Sequence, residues 1–69
     1  MISEKEAIKK AEEWLSLNKI DFQGRKMTIS IREGIYEVVY HVPEDTLGGD
    51  FTLMINSQTG DVIDARIER

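Results

Sequence analysis

Residues 24–42 read GRKMTISIREGIYEVVYHV, and the hydrophobic pattern of the chain changes within this stretch. Before Gly24 apolar residues recur with a helical period, whereas after it they alternate with polar residues, as in a strand with one buried face. Glu33-Gly34 separates two such runs by the two residues that a tight hairpin turn uses. The stretch therefore predicts a β-hairpin, whose first strand has an inward side formed by Met27, Ile29 and Ile31.

Upstream of Gly24 the sequence predicts one amphipathic helix. Ser3 followed by Glu6 has the capping-box spacing, so the helix is expected to start at about Ser3. Asn18 is its predicted end, because Asn tolerates the left-handed conformation that often closes a helix. The residues that share one apolar stripe are Ala7, Ile8, Ala11, Trp14 and Leu15.

Downstream of the hairpin, a loop and two more strands are expected. Pro43 ends the second strand because it lacks an amide donor, and residues 43–50 form the loop. Within that loop Gly48 and Gly49 are predicted to take positive φ angles that let the chain re-enter the sheet. The inward residues expected on the last three strands are Tyr36, Val38, Tyr40, Val42, then Phe51, Leu53, Ile55, then Ile63, Ala65, Ile67.

Together these elements predict an α+β fold with one N-terminal helix packed on a four-stranded antiparallel meander sheet. Short connections favour the meander, and the apolar stripe of the helix can be buried only against one face of the sheet. A chain of 69 residues supports a single thin core, so residues 1–69 are expected to be one domain.

Composition and charge restrict the classes of function. The chain has no cysteine, which excludes disulfides and thiolate metal sites, and its net charge of -4 argues against binding a nucleic-acid backbone. No run of apolar residues is long enough for a membrane span, so no membrane partner is expected. As given, the chain is predicted to be cytoplasmic, or secreted if a leader has been removed.

The outward side of the sheet is less polar than a face in water usually is. In the predicted register its apolar members are Ile35, Val39, Met54 and Val62. We interpret these four residues as a surface for a protein partner, with a homodimer as the alternative, because small monomers rarely expose large apolar patches. The loop carboxylates Glu44, Asp45 and Asp50 are expected to add to this surface.

No set of residues predicts catalysis, a cofactor or a metal. His41 is the single histidine, no nucleophile motif accompanies it, and it is expected to be a surface residue. The spacing of the loop carboxylates is not that of an EF-hand. The sequence therefore favours a non-catalytic module over the alternative of a small enzyme or ligand-binding domain that uses the concave face of the sheet.

Two segments carry a family resemblance. ISEKEAIKKAEEWL resembles the opening helix of PepSY-type domains, and FTLMINSQTGDVIDARI resembles their closing hairpin. The resemblance implies a non-catalytic module of the kind associated with secreted peptidases and suspected of inhibiting them.

A second resemblance concerns the middle and end of the chain. IYEVVYHVPEDTLGGDFTLMINSQTGDVI is similar to the end of a family of bacterial immunity proteins with a nuclear-transport-factor-two-like fold. This implies, as an alternative, that the chain neutralises a toxin made by the same cell. Neither resemblance supplies a catalytic residue.

Overall fold

The structure is a computed structural model that describes residues 1–42 and 49–68. These described residues form one helix and one sheet, whose strand order is β1-β2-β3-β4 with every neighbouring pair antiparallel. The elements are α1 (Glu4–Leu17), β1 (Met27–Arg32), β2 (Ile35–Tyr40), β3 (Phe51–Asn56) and β4 (Val62–Ile67). The predicted α+β fold, a helix packed on an antiparallel meander, is confirmed.

Both ends of α1 have specific capping interactions. The hydroxyl of Ser3 accepts a 3.2 Å hydrogen bond from the N–H of Glu6, as the capping-box spacing predicts. At the other end Asn18 is the cap residue, but its φ is -94°, and the left-handed residue is Lys19 with φ 58°. The N–H of Ile20 then reaches the carbonyl of Leu15, which completes a Schellman motif.

The core lies between α1 and the two central strands. Ala7, Ala11 and Leu15 are fully buried and face the inward residues of β2 and β3, which are buried as predicted. The fully or nearly fully buried strand residues are Tyr36, Val38, Tyr40, Phe51, Leu53 and Ile55. The helix packs on β2, β3 and β4, so the inward side of β1 receives less cover and Ile31 stays 44% exposed.

Strand β4 differs from the prediction because of a β-bulge. Asp64 pairs with Met54 while Val62 pairs with Ile55, which leaves Ile63 as the extra residue. Val62 therefore packs against the core, and Ile63 is 53% exposed. The predictions of an inward Ile63 and an outward Val62 are both wrong, because the bulge changes the alternation at this point.

Gly49 has a different role from the one predicted. Positive φ angles among the glycines of the described residues occur at Gly24, Gly34 and Gly60, and Gly49 is not one of them. A Cβ at Gly49 would instead collide with Cβ of Glu68. The N–H of Gly49 donates a hydrogen bond to the carbonyl of Glu68, and the N–H of Glu68 donates one to the carbonyl of Asp50. Close approach of two backbone segments thus requires the glycine. Gly48 lies outside the described residues.

Candidate functional site

The candidate site is the face of the sheet that α1 does not cover, called here the outer face. Alternation places every second residue of each strand on it, and the burial patterns of β2 and β3 show this alternation clearly. Its members are Thr28, Ser30 and Arg32 on β1, Ile35, Glu37 and Val39 on β2, Thr52, Met54 and Asn56 on β3, and Asp64 and Arg66 on β4.

Three of the four apolar residues predicted to contact a partner form one strip on the outer face. Met54 pairs directly with Glu37, and this register puts Met54 diagonal to Ile35 on one side and to Val39 on the other. Diagonal neighbours of this kind are close enough for long side chains to touch. Each of the three is half-buried. The fourth, Val62, belongs to the core side and is not part of this strip.

Polar residues surround the apolar strip. Val39 has Thr28 opposite it on β1 and Thr52 opposite it on β3, and the guanidinium of Arg66 lies 3.7 Å from the carboxylate of Asp64 on β4. A depression of about 200 Å³ lies at the Ile35 end of the strip, and it is lined by Ser30, Arg32, Glu33, Ile35, Glu37 and Met54. An apolar centre with a polar rim is the usual arrangement of a protein–protein interface.

One end of the outer face carries a group of polar side chains on three chain segments. The Oγ1 of Thr28 lies 3.0 Å from Nε2 of His41, and Nδ1 of His41 lies 3.6 Å from a carboxylate oxygen of Asp50. The other carboxylate oxygen of Asp50 accepts a 2.8 Å bond from the N–H of Val42. Asp50, predicted as a contact residue, thus ties the ends of β2 and β3 together. Glu44 and Asp45 lie outside the described residues.

The order hydroxyl, imidazole, carboxylate is also that of a nucleophilic triad, but this geometry does not favour catalysis. A triad needs a short bond from Nδ1 to a buried carboxylate that orients the ring. Here the distance of 3.6 Å is too long for a hydrogen bond, and the His41 and Asp50 side chains are each 42% exposed. We call Thr28, His41 and Asp50 the polar clasp, because their contacts join the ends of β1, β2 and β3.

The contacts of His41 are the part of the site that sequence reasoning missed. The two-residue turn at Glu33-Gly34 sets Thr28 opposite Val39, which makes His41 a diagonal neighbour of Thr28. Counting outward from that turn is therefore the signal that predicts their contact.

Two open grooves lie on the other side of the molecule. One, of about 720 Å³, runs along the exposed flank of α1 and is lined by Lys5, Ile8, Lys9, Glu12, Glu13, Ser16, Leu17 and Phe22. The other, of about 440 Å³, lies between α1 and the start of β4 and is lined by Lys10, Glu13, Trp14, Leu17, Gly60, Asp61 and Val62. Neither has the enclosure that small-molecule sites use to bury most of a ligand.

Within residues 1–42 and 49–68 no three His, Cys, Asp or Glu side chains are grouped so that they could hold a metal ion. The helical part of the described chain lacks the length and apolar character of a transmembrane segment. In comparisons with known proteins, no family model, no curated protein and no solved structure matches the chain.

Proposed function

We propose that the chain is a non-catalytic protein-binding module that covers a partner protein with the outer face of its sheet. The observation that carries the proposal is the one-sided position of α1 in the described structure. Because the helix packs on one face only, the strip of Ile35, Met54 and Val39 faces away from the core. Association with a partner would remove the exposed parts of these apolar side chains from water.

The partner that we propose first is a peptidase, which the module would inhibit by occupying its surface. The resemblance of the opening helix and the closing hairpin to PepSY-type domains supports this choice. A bacterial toxin is the alternative partner, supported by the resemblance to immunity proteins. Charged side chains of both signs rim the apolar strip, so specificity would come from the pairing of individual charges across the interface.

A charge placed in the strip tests the use of the outer face. Val39→Asp puts a carboxylate beside Met54 without entering the core, so the fold should persist by circular dichroism. The matched control is Leu17→Asp, because Leu17 is an exposed apolar residue, 83% accessible, on α1. We expect affinity capture from the source cell's lysate and culture medium to recover a partner with the native chain and with Leu17→Asp, and not with Val39→Asp.

The same capture separates the two partner classes. A peptidase partner should appear in the culture medium, and the native chain should lower its hydrolysis of a casein substrate, whereas Val39→Asp should not. A toxin partner should appear in the lysate, and co-expression should restore growth to cells that make the toxin. Equal capture of a partner by the native chain and by Val39→Asp would rule out the outer face as the binding surface.

A further inference from the structure

The two edge strands of the sheet differ in how they are protected. β4 carries the bulge at Ile63 and the alternating charges Asp64 and Arg66. β1 has no bulge, glycine or proline, and it has no charged residue from Met27 to Ile31. Proteins usually blunt an exposed edge with such features, because its unpaired backbone groups can bind another strand. The edge of β1 lacks them between Met27 and Ile31, and its charges, Lys26 and Arg32, lie only at its two ends.

The backbone groups on the open edge of β1 can be assigned from the ladder. The carbonyl of Lys26 accepts a 2.8 Å bond from the N–H of His41, so even-numbered residues of this segment bond with β2. The odd-numbered residues direct their N–H and C=O groups away from β2, toward the open edge. These residues are Met27, Ile29 and Ile31.

The same three residues expose apolar surface beside the edge. Met27 and Ile29 are half-buried and Ile31 is 44% exposed, because α1 packs on the other three strands. A strand added to this edge would therefore gain both backbone hydrogen bonds and apolar contacts on the inward side. These are the two interactions that peptide binding by strand addition uses.

A second copy of the chain does not fit this edge well. In an antiparallel dimer that uses Met27, Ile29 and Ile31 of both copies, Ile29 lies opposite Ile29 of the other copy. Lys26 of each copy then lies directly opposite Arg32 of the other, so the like-charge pair occurs twice. Like charges directly opposite each other are destabilising. A shift by two residues avoids the repulsion, but in one direction it pairs Met27 with Glu33, which has φ 50° and belongs to the turn. In the other direction it pairs Ile31 with Arg25, which lies outside β1.

Carboxylates on the incoming strand would convert both repulsions into attractions. Among the described residues, neither Lys26 nor Arg32 has an ion pair within 4.0 Å. We propose that the edge of β1 binds an extended segment of a partner protein with a carboxylate opposite each of these two cations and apolar residues opposite Met27, Ile29 and Ile31. This inference rests on the proposed protein-binding function and names the chemistry of the partner.

The test uses the synthetic peptide acetyl-EVTVTVE-amide, whose pattern matches this description, in titrations followed by amide NMR of the full chain. We expect shift changes centred on the amides of Met27, Ile29 and Ile31. The peptide acetyl-KVTVTVK-amide should bind at least about five-fold more weakly, since two attractive pairs become repulsive. A version of the acidic peptide that is N-methylated at the central valine should show no binding, because that amide faces Ile29.

Two variants of the chain complete the test. Lys26→Glu combined with Arg32→Glu should reverse the preference, so that the lysine peptide binds more tightly than the acidic one. Ile29→Pro should abolish binding of both peptides while the ladder with β2 is kept, because the lost N–H faces the open edge. Val39→Asp should bind the acidic peptide as the native chain does.

Three results would overturn the inference. They are the same affinity for both peptides, shift changes centred on residues away from β1, and sedimentation of the native chain as a dimer that Ile29→Pro converts to a monomer. The last result would assign the edge to a second copy. Failure of the peptide to bind while Val39→Asp still loses its captured partner would reject the edge site and leave the proposed function of the outer face standing.

Discussion

The hydroxyl of Tyr40 donates a 3.1 Å hydrogen bond to the carboxylate of Glu12 and so joins β2 to α1. The tyrosine is almost completely buried, and its ring lies 5.5 Å from the ring of Phe22 between centroids. Burial is the main cause that raises the pKa of Tyr40 far above its ordinary value of 10.0, and the charge and hydrogen bond of Glu12 raise it further. A neutral Tyr40 is thus part of the folded state.

This raised pKa predicts a loss of stability in alkali. The unfolded chain releases the tyrosine proton near its ordinary pKa of about 10, while the folded chain retains it. The contribution to the free energy of unfolding is therefore complete below about pH 10 and decreases as the pH rises toward the folded pKa, by at most about 1.4 kcal/mol per pH unit. Urea denaturation at a series of alkaline pH values measures it.

Two variants isolate the tyrosine in this measurement. Tyr40→Phe removes the proton, so its free energy of unfolding should decrease less steeply with pH than that of the native chain. Glu12→Gln removes the charge, so the absorbance of tyrosinate should show a lower pKa for Tyr40 while burial still keeps it raised. Parallel pH profiles for the native chain and Tyr40→Phe would contradict the prediction.

Gly49→Ala is predicted to destabilise the chain by about 1–3 kcal/mol, because the added methyl group overlaps Cβ of Glu68. Chemical denaturation of the native chain and the variants measures this loss of stability. In the Gly49→Ala background Glu68→Gly should restore most of the loss, whereas Glu68→Ala should not, since it keeps the Cβ.

Gly24→Ala is the conformational control for Gly49→Ala. No atom of residues 1–42 and 49–68 lies within 4 Å of the added Cβ, but the φ of +79° is strained for alanine, so a loss of about 1 kcal/mol is expected. No substitution at Glu68 should restore that loss. Rescue of Gly49→Ala by Glu68→Ala would show that the backbone approach is not the cause.

Substitution by alanine is predicted to affect the stability differently at two serines, Ser57 and Ser3. Ser57 is fully buried and its hydroxyl has no hydrogen-bond partner among the described residues, so Ser57→Ala should leave the stability unchanged or raise it by up to about 1 kcal/mol. Ser3 is exposed but caps α1, so Ser3→Ala should lower stability by about 1 kcal/mol. Thermal and urea denaturation of both variants test this, and a larger loss at Ser57 than at Ser3 would contradict it.

The fold was predictable where the hydrophobic period is unambiguous. The stripe of α1 and the alternation in β2 and β3 each place apolar residues on one side only, and these residues form the core. The outward position of Ile35, Val39 and Met54 followed from the same alternation. By contrast the clasp of Thr28, His41 and Asp50 depends on cross-strand register, which no local pattern within one strand encodes.

The position of β4 was not predictable from alternation, because both of its phases begin with an apolar residue. Ile63, Ala65 and Ile67 form a completely apolar phase, which favours the wrong assignment. In the structure Val62 joins Ala65 and Ile67 on the inward side, because Ile63 is the extra residue of the bulge. A bulge is defined by its partner strand, so it appears only when β3 and β4 are paired.

The inward position of Val62 and the exposed position of Ile63 can be tested directly by substituting each residue. Val62→Asp should lower the free energy of unfolding by about 2 kcal/mol or more, because it places a carboxylate against the core. Ile63→Asp should change it by no more than about 0.5 kcal/mol, because Ile63 is exposed and unpaired. Urea denaturation of both variants shows which substitution lowers the free energy of unfolding more. In a regular β4 without a bulge, Ile63→Asp would be the more destabilising of the two.

Deletion of Ile63 extends the same argument to the backbone. Without this residue Val62 still pairs with Ile55 and Asp64 still pairs with Met54, so every inward side chain of β4 keeps its place. The deletion variant should therefore fold with a stability within about 1 kcal/mol of the native chain, since only the extra residue of the bulge is lost. Deletion of Ala65 is the control, because it sets Asp64 opposite Leu53 on the inward side of the sheet and should prevent folding.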